Sequence, residues 1–294
     1  MNTNMNKMTR RSALKKVVGS AALMGAAAMN PFSALSDDSR ARLKGNIRHS
    51  VSAWCYGGVG LETLCRFCKE IGVESVELLD PSQFDTVKKY GLTCAVCNGP
   101  SSITNGWNQV ENHEKYLKEF EEAIQVVAKY GFPNIITFSG NRRGMSDEEG
   151  LENCVKGLKK LAPIAEKYKV TVIMELLNSQ GHKDYMCDHT SWGVEMCKQV
   201  GSERIKLLYD IYHMQIMEGD IINTINRNHE YFAHYHTGGN PGRNEIDDSQ
   251  ELNYPPIMKA IVKTGFKGFV GQEFVPTNPL PLRSLAQAIQ ICDV

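Results

Sequence analysis

Leu207-Leu208-Tyr209-Asp210-Ile211-Tyr212-His213-Met214 is an apolar run that stops abruptly at an acid and places a histidine three residues later. A short apolar run reads as a buried strand, and an ionisable pair at its carboxyl end is costly to bury unless it binds something. Three other runs end the same way: Thr171-Val172-Ile173-Met174-Glu175, Phe232-Ala233-His234-Tyr235-His236 and Gly268-Phe269-Val270-Gly271-Gln272-Glu273. Four strands that deliver Glu175, Asp210, His236 and Glu273 at their ends govern the reading of both fold and chemistry.

Working outward from these runs, short β-rich stretches alternate with amphipathic helical ones. Strands are expected over Ile47 to Trp54, Glu74 to Leu79, Thr93 to Cys97 and Asn134 to Phe138, then Thr171 to Glu175, Ile205 to Asp210, Phe232 to His236 and Phe269 to Glu273. Helices are expected over Leu61 to Ile71, Gln83 to Tyr90, Asn112 to Tyr130 and Asp147 to Tyr168, with Ser146 as an N-cap and Glu149 three residues on. Further helices fall near Ser191 to Val200, Ile216 to Asn226, Pro255 to Thr264 and Leu282 to Cys292. Eight strand-helix units over this length predict an α/β fold, a single-domain (β/α)8 TIM barrel. A doubly wound open sheet competes with it, weakened because no Gly-x-Gly-x-x-Gly follows the first strand.

The first 36 residues read as something other than fold. Thr9-Arg10-Arg11-Ser12-Ala13-Leu14-Lys15-Lys16 is a twin-arginine pattern, followed by a weakly apolar run from Val17 to Met29 and small residues around Ser33-Ala34. That run is too short to span a hydrocarbon core of ~30 Å, so no stable membrane anchor is expected. The layout predicts an export signal over 1–36, a barrel over 37–294, and a periplasmic or exported protein. The sequence holds 33 bases and 33 acids; without the signal, which contains Lys7, Arg10, Arg11, Lys15 and Lys16 and no acid, 28 bases face 33 acids, a net of −5. Such a body has nothing to attract a phosphate backbone, so no nucleic-acid partner is expected. Nine cysteines include the pairs Cys65/Cys68 and Cys94/Cys97, but the spacing suits buried free thiols better than a disulfide framework or a zinc knuckle.

In a barrel all strands present their carboxyl ends on one face, with neighbours about 4.8 Å apart. Glu175, Asp210, His236 and Glu273 would then close around one point as divalent-metal ligands, since three acids buried without a cation would cost stability. Three carboxylates and an imidazole suit Mn²⁺ first, Mg²⁺ or Co²⁺ next, and Zn²⁺ less. His234 and His236 point to the same side of their strand; His236 is the better ligand and His234 reads equally well as a hydrogen-bonded core residue. His213 is placed to reach a substrate oxygen or to be an ordinary buried histidine. Arg243, on the glycine-rich loop Gly238-Gly239-Asn240-Pro241-Gly242-Arg243-Asn244-Glu245, either holds a substrate hydroxyl or carboxylate or is a solvated arginine.

Tyr209-Asp210-Ile211-Tyr212-His213-Met214-Gln215 with Met217-Glu218-Gly219 resembles the matching stretch of hydroxypyruvate isomerases. Glu175 with Asn178, His236-Thr237-Gly238 with Pro241-Gly242, and Gly271-Gln272-Glu273-Phe274 are similar to the same family and to ketose 3-epimerases, both of the xylose isomerase-like barrel superfamily. The resemblance implies that Glu175, Asp210, His236 and Glu273 are metal ligands and that Glu175 and Glu273 are the acid/base carboxylates. It further implies that His213, Asn178 and Arg243 bind substrate, although the loop after His236 is shorter here than in those families. These families often associate, which leaves a homo-oligomer open.

The expected function is a metal-dependent isomerase or epimerase of a small sugar or keto-acid. One carboxylate would take the proton between carbonyl and hydroxyl, and the other would return one through an enediolate. A lyase or hydrolase acting on 3-keto-glycosides is the alternative, since proton removal beside a ketone also permits elimination. An apurinic endonuclease would need more histidines at strand ends than are present, and a non-catalytic periplasmic sugar-binding barrel would bind its ligand without metal or Glu175.

Overall fold

The computed structural model describes residues 43–294, so the twin-arginine segment expected over 1–36 lies outside them. Seven parallel strands form one sheet: β1 Arg48–Ser52, β2 Ser75–Glu77, β3 Asn134–Thr137, β4 Thr171–Glu175, β5 Ile205–Asp210, β6 Phe232–Thr237 and β7 Phe269–Gln272. Their order is β2-β1-β7-β6-β5-β4-β3. Helices alternate with them: α1 Leu61–Ile71, α2 Phe84–Lys89, α3 His113–Tyr130, α4 Asp147–Tyr168, α5 Thr190–Val200, α6 Ile211–Met217, α7 Ile221–Asn228, α8 Tyr254–Lys263 and α9 Pro281–Cys292. This is the α/β TIM-barrel architecture.

The stretch expected as the third strand, Thr93 to Cys97, is not regular strand. It lies between the sheet edges β2 and β3 and bridges both, with isolated parallel bridges Ser75↔Thr93, Leu79↔Cys97 and Cys97↔Ile135. Side chains replace the ladder at its centre: Ala95 N–H donates to Ser75 Oγ at 2.8 Å, and Asn134 Nδ2 donates to the Ala95 carbonyl at 2.8 Å. Both backbone groups of Ala95 are thereby satisfied, and backbone bonds at Thr93, Val96 and Cys97 join the stave to its neighbours without a regular ladder. Ala95 and Val96 still contribute to the buried apolar cluster with Ile136, Ile173, Leu208 and Phe269.

The helices follow their apolar stripes. In α1 the buried positions are Leu64, Cys65, Phe67, Cys68 and Ile71, and the helix stops where Gly72 takes φ 82, a left-handed stop that a Cβ disfavours. Helix α4 begins as the sequence indicates, with the Ser146 side chain accepting from Glu149 N–H at 3.2 Å. The helix expected over Ile216 to Asn226 is instead two, α6 and α7, parted where Asp220 adopts φ 44. Helix α6 starts at once after β5 because the Asp210 carboxylate accepts from Tyr212 N–H at 2.9 Å and His213 N–H at 3.3 Å. Eight of the nine cysteines are buried and Cys55 is half-buried. Among the described residues no helix is long and apolar enough to cross a membrane.

Candidate active site

The strand register sets the site. Asp210 in β5 lies opposite His236 in β6, and His236 lies opposite Gly271 in β7. Glu175 ends β4, and Glu273 follows β7 by one residue. The structure brings the four expected residues together: one ligand atom from each of Glu175, Asp210, His236 and Glu273 lies within 4.8 Å of the others, and all four are buried.

His236 shows what the cluster requires. Its Nε2 bonds to Glu77 Oε1 at 2.8 Å; burial works against its charged form, but Glu273, Glu175 and Glu77 outweigh it and push the imidazole well above the usual histidine range, so Nδ1 also carries a proton when no cation is bound. Nδ1 lies 2.7 Å from Glu273 Oε2 and 3.7 Å from Glu175 Oε1, yet makes no aligned hydrogen bond. A divalent cation bound between Nδ1 and these carboxylates would take the place of that proton. The donor set, three oxygen ligands and one nitrogen with a carboxylate fixing the far side of the imidazole, therefore fits a divalent metal.

Glu77 is a member of this site that sequence reasoning missed. It is fully buried, and the same Oε1 also accepts from His234 Nε2 at 3.1 Å, so His234 is the hydrogen-bonded core residue of the two readings it allowed. Burial alone pushes the Glu77 carboxyl upward, but the two imidazoles outweigh it and hold the group at about 2. Its side chain reaches β6 from β2 across β1 and β7, and a Cβ on Gly271 would overlap Glu77 Oε1. A signal existed: Glu77 is also an acid at a strand end. Leu78 and Leu79 disguise it, because the chain leaves the sheet through a left-handed leucine, φ 56 at Leu78.

The two site glutamates have different surroundings. Glu273 Oε1 accepts from Trp54 Nε1 at 2.7 Å, while Oε2 faces His236 and accepts from Arg243 Nη2. Burial works against its ionised form, but His236 and Arg243 hold the carboxyl well below the usual carboxylate range. Glu175 has no such cation bonded to it; burial, then the charges of Glu273 and Asp210, push its carboxyl up to about 7 against the pull of His236.

Arg243 sits on these carboxylates and not in solvent. Its Nη2 donates to Asp210 Oδ2 at 2.8 Å as well as to Glu273, and its Nε donates to the Glu273 carbonyl at 3.2 Å. Its backbone takes φ 56, pinned by Arg243 N–H to the Gly239 carbonyl and Val275 N–H to the Arg243 carbonyl, each at 2.8 Å.

His213 and Asn178 form a unit behind the arginine. Asn178 Oδ1 accepts from Gly181 N–H at 2.7 Å, which turns its Nδ2 toward His213 Nδ1 at 2.5 Å; Asn178 N–H also donates to that nitrogen at 3.1 Å. Nδ1 is thereby the acceptor, and the ring proton belongs on Nε2. Burial and the Arg243 charge keep this imidazole neutral, well below the usual histidine range. Arg243 Nη1 lies 2.9 Å from Nε2, a donor facing a donor, so this N–H is better satisfied by a ligand oxygen. The amide of Asn178 is thus committed to His213 and Gly181.

A cavity of about 760 Å³ opens from Glu175, Glu273 and Arg243 over Trp54, His182 and the loop Asn98 to Thr104. Trp54, expected from the sequence as the end of the first strand, lies on the turn Ala53–Tyr56 just after β1 but was not singled out there as a site residue, and neither was His182.

The fold and site define a (β/α)-barrel protein whose buried cluster of Glu175, Asp210, His236 and Glu273 at the strand ends could hold a divalent metal. Residues 65–291 match the xylose isomerase-like TIM barrel family, and the chain belongs to that family. It is 35% identical over 107 residues to a 2-oxo-tetronate isomerase of Cupriavidus necator, covering 36% of this chain and 41% of the relative. It is 28% identical over 164 residues to the hydroxypyruvate isomerase of Escherichia coli K12, covering 54% of this chain and 63% of the relative. The matches to these two curated relatives therefore span less than two thirds of their length. A solved structure named AP endonuclease, family 2, from Brucella melitensis superposes with a TM-score of 0.74 at 24% identity, over 82% of this chain and 98% of that one, and shows the fold.

Proposed function

We propose that this protein is a metal-dependent isomerase or epimerase of an α-hydroxy-carbonyl compound, a small sugar or keto-acid, working by carboxylate-mediated proton transfer. The observation that carries the reading is the pair Glu175 and Glu273 facing one cavity on either side of His236, whose Nδ1 is aimed at both carboxylates in a buried four-residue cluster. The isomerase names of the curated relatives support the reaction class. Glu175, Asp210, His236 and Glu273 would hold the ion, Mn²⁺ first, with Mg²⁺ or Co²⁺ next. A divalent cation supplies polarisation of the substrate carbonyl and hydroxyl, which acidifies the carbon-bound proton between them.

Glu273, ionised and oriented by Trp54, is suited to remove a proton; Glu175, near neutrality, is suited to carry one back. His213 donates from Nε2 to a substrate oxygen, Asn178 keeps that nitrogen protonated, and Arg243 turns from its carboxylates toward substrate. On the twin-arginine pattern of residues 9–16 we place this activity outside the cytoplasm, which fractionation of a tagged full-length chain checks. The main test is solvent deuterium: metal-loaded protein given hydroxypyruvate or ketoses in D₂O should place deuterium on the product carbon, and isomerisation without incorporation would indicate a hydride shift instead.

A further inference from the structure

The four proposed metal ligands stand at the ends of four consecutive strands, β4 to β7. The cavity above them has a second wall on the other half of the ring, made by the loop after the stave Thr93 to Cys97 and by the end of β3. That loop is fastened to β3 by close approach. A Cβ on Gly99 would overlap the Ile136 carbonyl, so a glycine lets the chain pass there, and Trp107 N–H and Asn108 N–H donate to the Phe138 and Ser139 carbonyls at 3.3 Å and 2.8 Å. Ser101 is held between these anchors at the cavity wall, only 7% exposed.

The hydrogens in this wall outnumber their acceptors. Trp107 Nε1 donates to Thr137 Oγ1 at 2.7 Å, Phe138 N–H donates to Ser101 Oγ at 3.1 Å, and the two hydroxyl oxygens lie 2.9 Å apart. One hydroxyl hydrogen fills the gap between the oxygens, and the other has no acceptor among the described residues. If Ser101 donated inward, the surplus hydrogen would belong to Thr137, which is buried and does not border the cavity, and a buried donor without a partner is costly. With Thr137 donating to Ser101, both Ser101 lone pairs are filled and the surplus hydrogen is its own, at the cavity wall. Ser101 then presents an oriented O–H with no accepting capacity. It suits a carbonyl, carboxylate or hydroxyl oxygen and offers nothing to an N–H or an ammonium.

We propose that Ser101 is a specificity-determining residue of this site, a hydrogen-bond donor to an acceptor oxygen at the end of the substrate remote from the metal cluster, and that Thr137 and Trp107 are positioning residues that set the direction of its hydrogen. This rests on the proton-transfer reading above only for the class of compound bound. The chain Trp107, Thr137, Ser101 is polarised in one direction, so an acceptor bound at Ser101 strengthens each bond behind it, out to an indole that is fully buried and away from the cavity.

Mg²⁺-loaded full-length protein is titrated with hydroxypyruvate and with D-erythrulose by calorimetry, while NMR follows the indole N–H resonances of its three tryptophans. That of Trp107 is identified by cross-relaxation with Tyr116 and Phe120, whose rings lie 5.6 Å and 5.5 Å from its own. Saturation with a probe should move the Trp107 resonance downfield, a reading that needs no variant to fold. Ser101→Ala should abolish that movement and weaken the probe about tenfold, the loss of one such bond, with Mg²⁺ affinity kept within about twofold. Thr137→Val should weaken the probe severalfold, and Thr137→Ser, which keeps the hydroxyl, should restore it. Unchanged affinity for both probes in Ser101→Ala, loss of Mg²⁺ in parallel with the probe, a Trp107 resonance indifferent to both probes, or no binding of either by the unmodified protein each overturns the proposal. Binding that depends on Ser101 without deuterium exchange on the bound probe removes the proton-transfer reading and leaves this assignment standing; exchange and affinity both intact in Ser101→Ala do the reverse.

Discussion

Glu77 Oε1 lies 2.8 Å from His236 Nε2 although 159 positions separate the two in the chain. The contact fixes which imidazole nitrogen faces the carboxylates, because an Nε2 bonded to Glu77 leaves Nδ1 aimed at Glu175 and Glu273. Glu77 thus acts on the proposed cation through His236 and not as one of its ligands.

Glu77→Gln should weaken divalent-metal affinity by roughly tenfold to a hundredfold, the usual cost of losing such a partner, as read by competition with a fluorescent chelator. Gly271→Ala should reach the same end by another route, since its Cβ would overlap Glu77 Oε1 and press on His236. Unchanged metal affinity in both, with the fold intact by circular dichroism, would show that His236 does not depend on this carboxylate.

Glu175→Gln and Glu273→Gln should each lower the rate of deuterium exchange by roughly 10²–10⁴, the range for losing a positioned acid or base. Both groups are also proposed ligands, so metal content has to be measured alongside. At matched metal occupancy, full turnover in either variant excludes that residue from proton transfer.

Asp210, His236 and the two glutamates were legible in the sequence because each interrupts an apolar run at its end, where burial of charge demands a reason. Glu77 interrupts a run too, but two leucines follow it, and a left-handed Leu78 is not a conformation that residue type announces. The stave Thr93 to Cys97 reads as strand because its apolar residues do face the core; its ladder is replaced by Ser75 and Asn134, a long-range exchange no local pattern encodes. Likewise the start of α6 depends on Asp210 serving as helix cap while its other oxygen meets Arg243, and periodicity alone placed that helix five residues late.

His213→Gln should cut turnover while leaving metal affinity within about twofold, since its Nε2 is the proposed donor to substrate and its backbone, not its ring, bonds to Asp210 at hydrogen-bond distance. Asn178→Ala is a milder test of the same unit: Nδ1 loses its side-chain donor and keeps the backbone N–H of residue 178, so it competes better for the ring proton, and turnover should fall with KM rising more than in a variant of the metal shell. Equal loss of metal and turnover in His213→Gln would merge the roles kept apart here.

Arg243→Ala should bind divalent metal severalfold more tightly and substrate more weakly. The guanidinium shares Asp210 Oδ2 and Glu273 Oε2 with the proposed ion, so its removal lifts a like-charge repulsion and frees two ligand oxygens. The guanidinium also lies 5.7 Å over the Trp54 ring, so metal titration of the unmodified protein should shift indole emission, and Arg243→Ala should lose most of that shift. Weaker metal binding in the variant would mean that Arg243 supports the site electrostatically in a way its contacts do not suggest.

The last prediction concerns stability away from the site. His49 in β1 is buried, both ring nitrogens are without hydrogen-bond partners, and its nearest carboxylate oxygen is Asp293 Oδ1 at 3.9 Å. Burial lowers this imidazole to about 4, with Asp293 opposing too weakly to restore it. The folded protein therefore keeps His49 neutral, while the unfolded chain takes up a proton below about 6.5. Proton binding by the unfolded state makes stability fall as pH drops from about 6.5 to 4, by about 3 kcal/mol in all, and His49 contributes no further pH dependence below 4. His49→Phe removes the titration and keeps an aromatic in the strand, so its urea-unfolding free energy should fall by about 3 kcal/mol less than that of the unmodified protein between pH 6.5 and 4. Parallel pH profiles for the two proteins would assign acid sensitivity elsewhere.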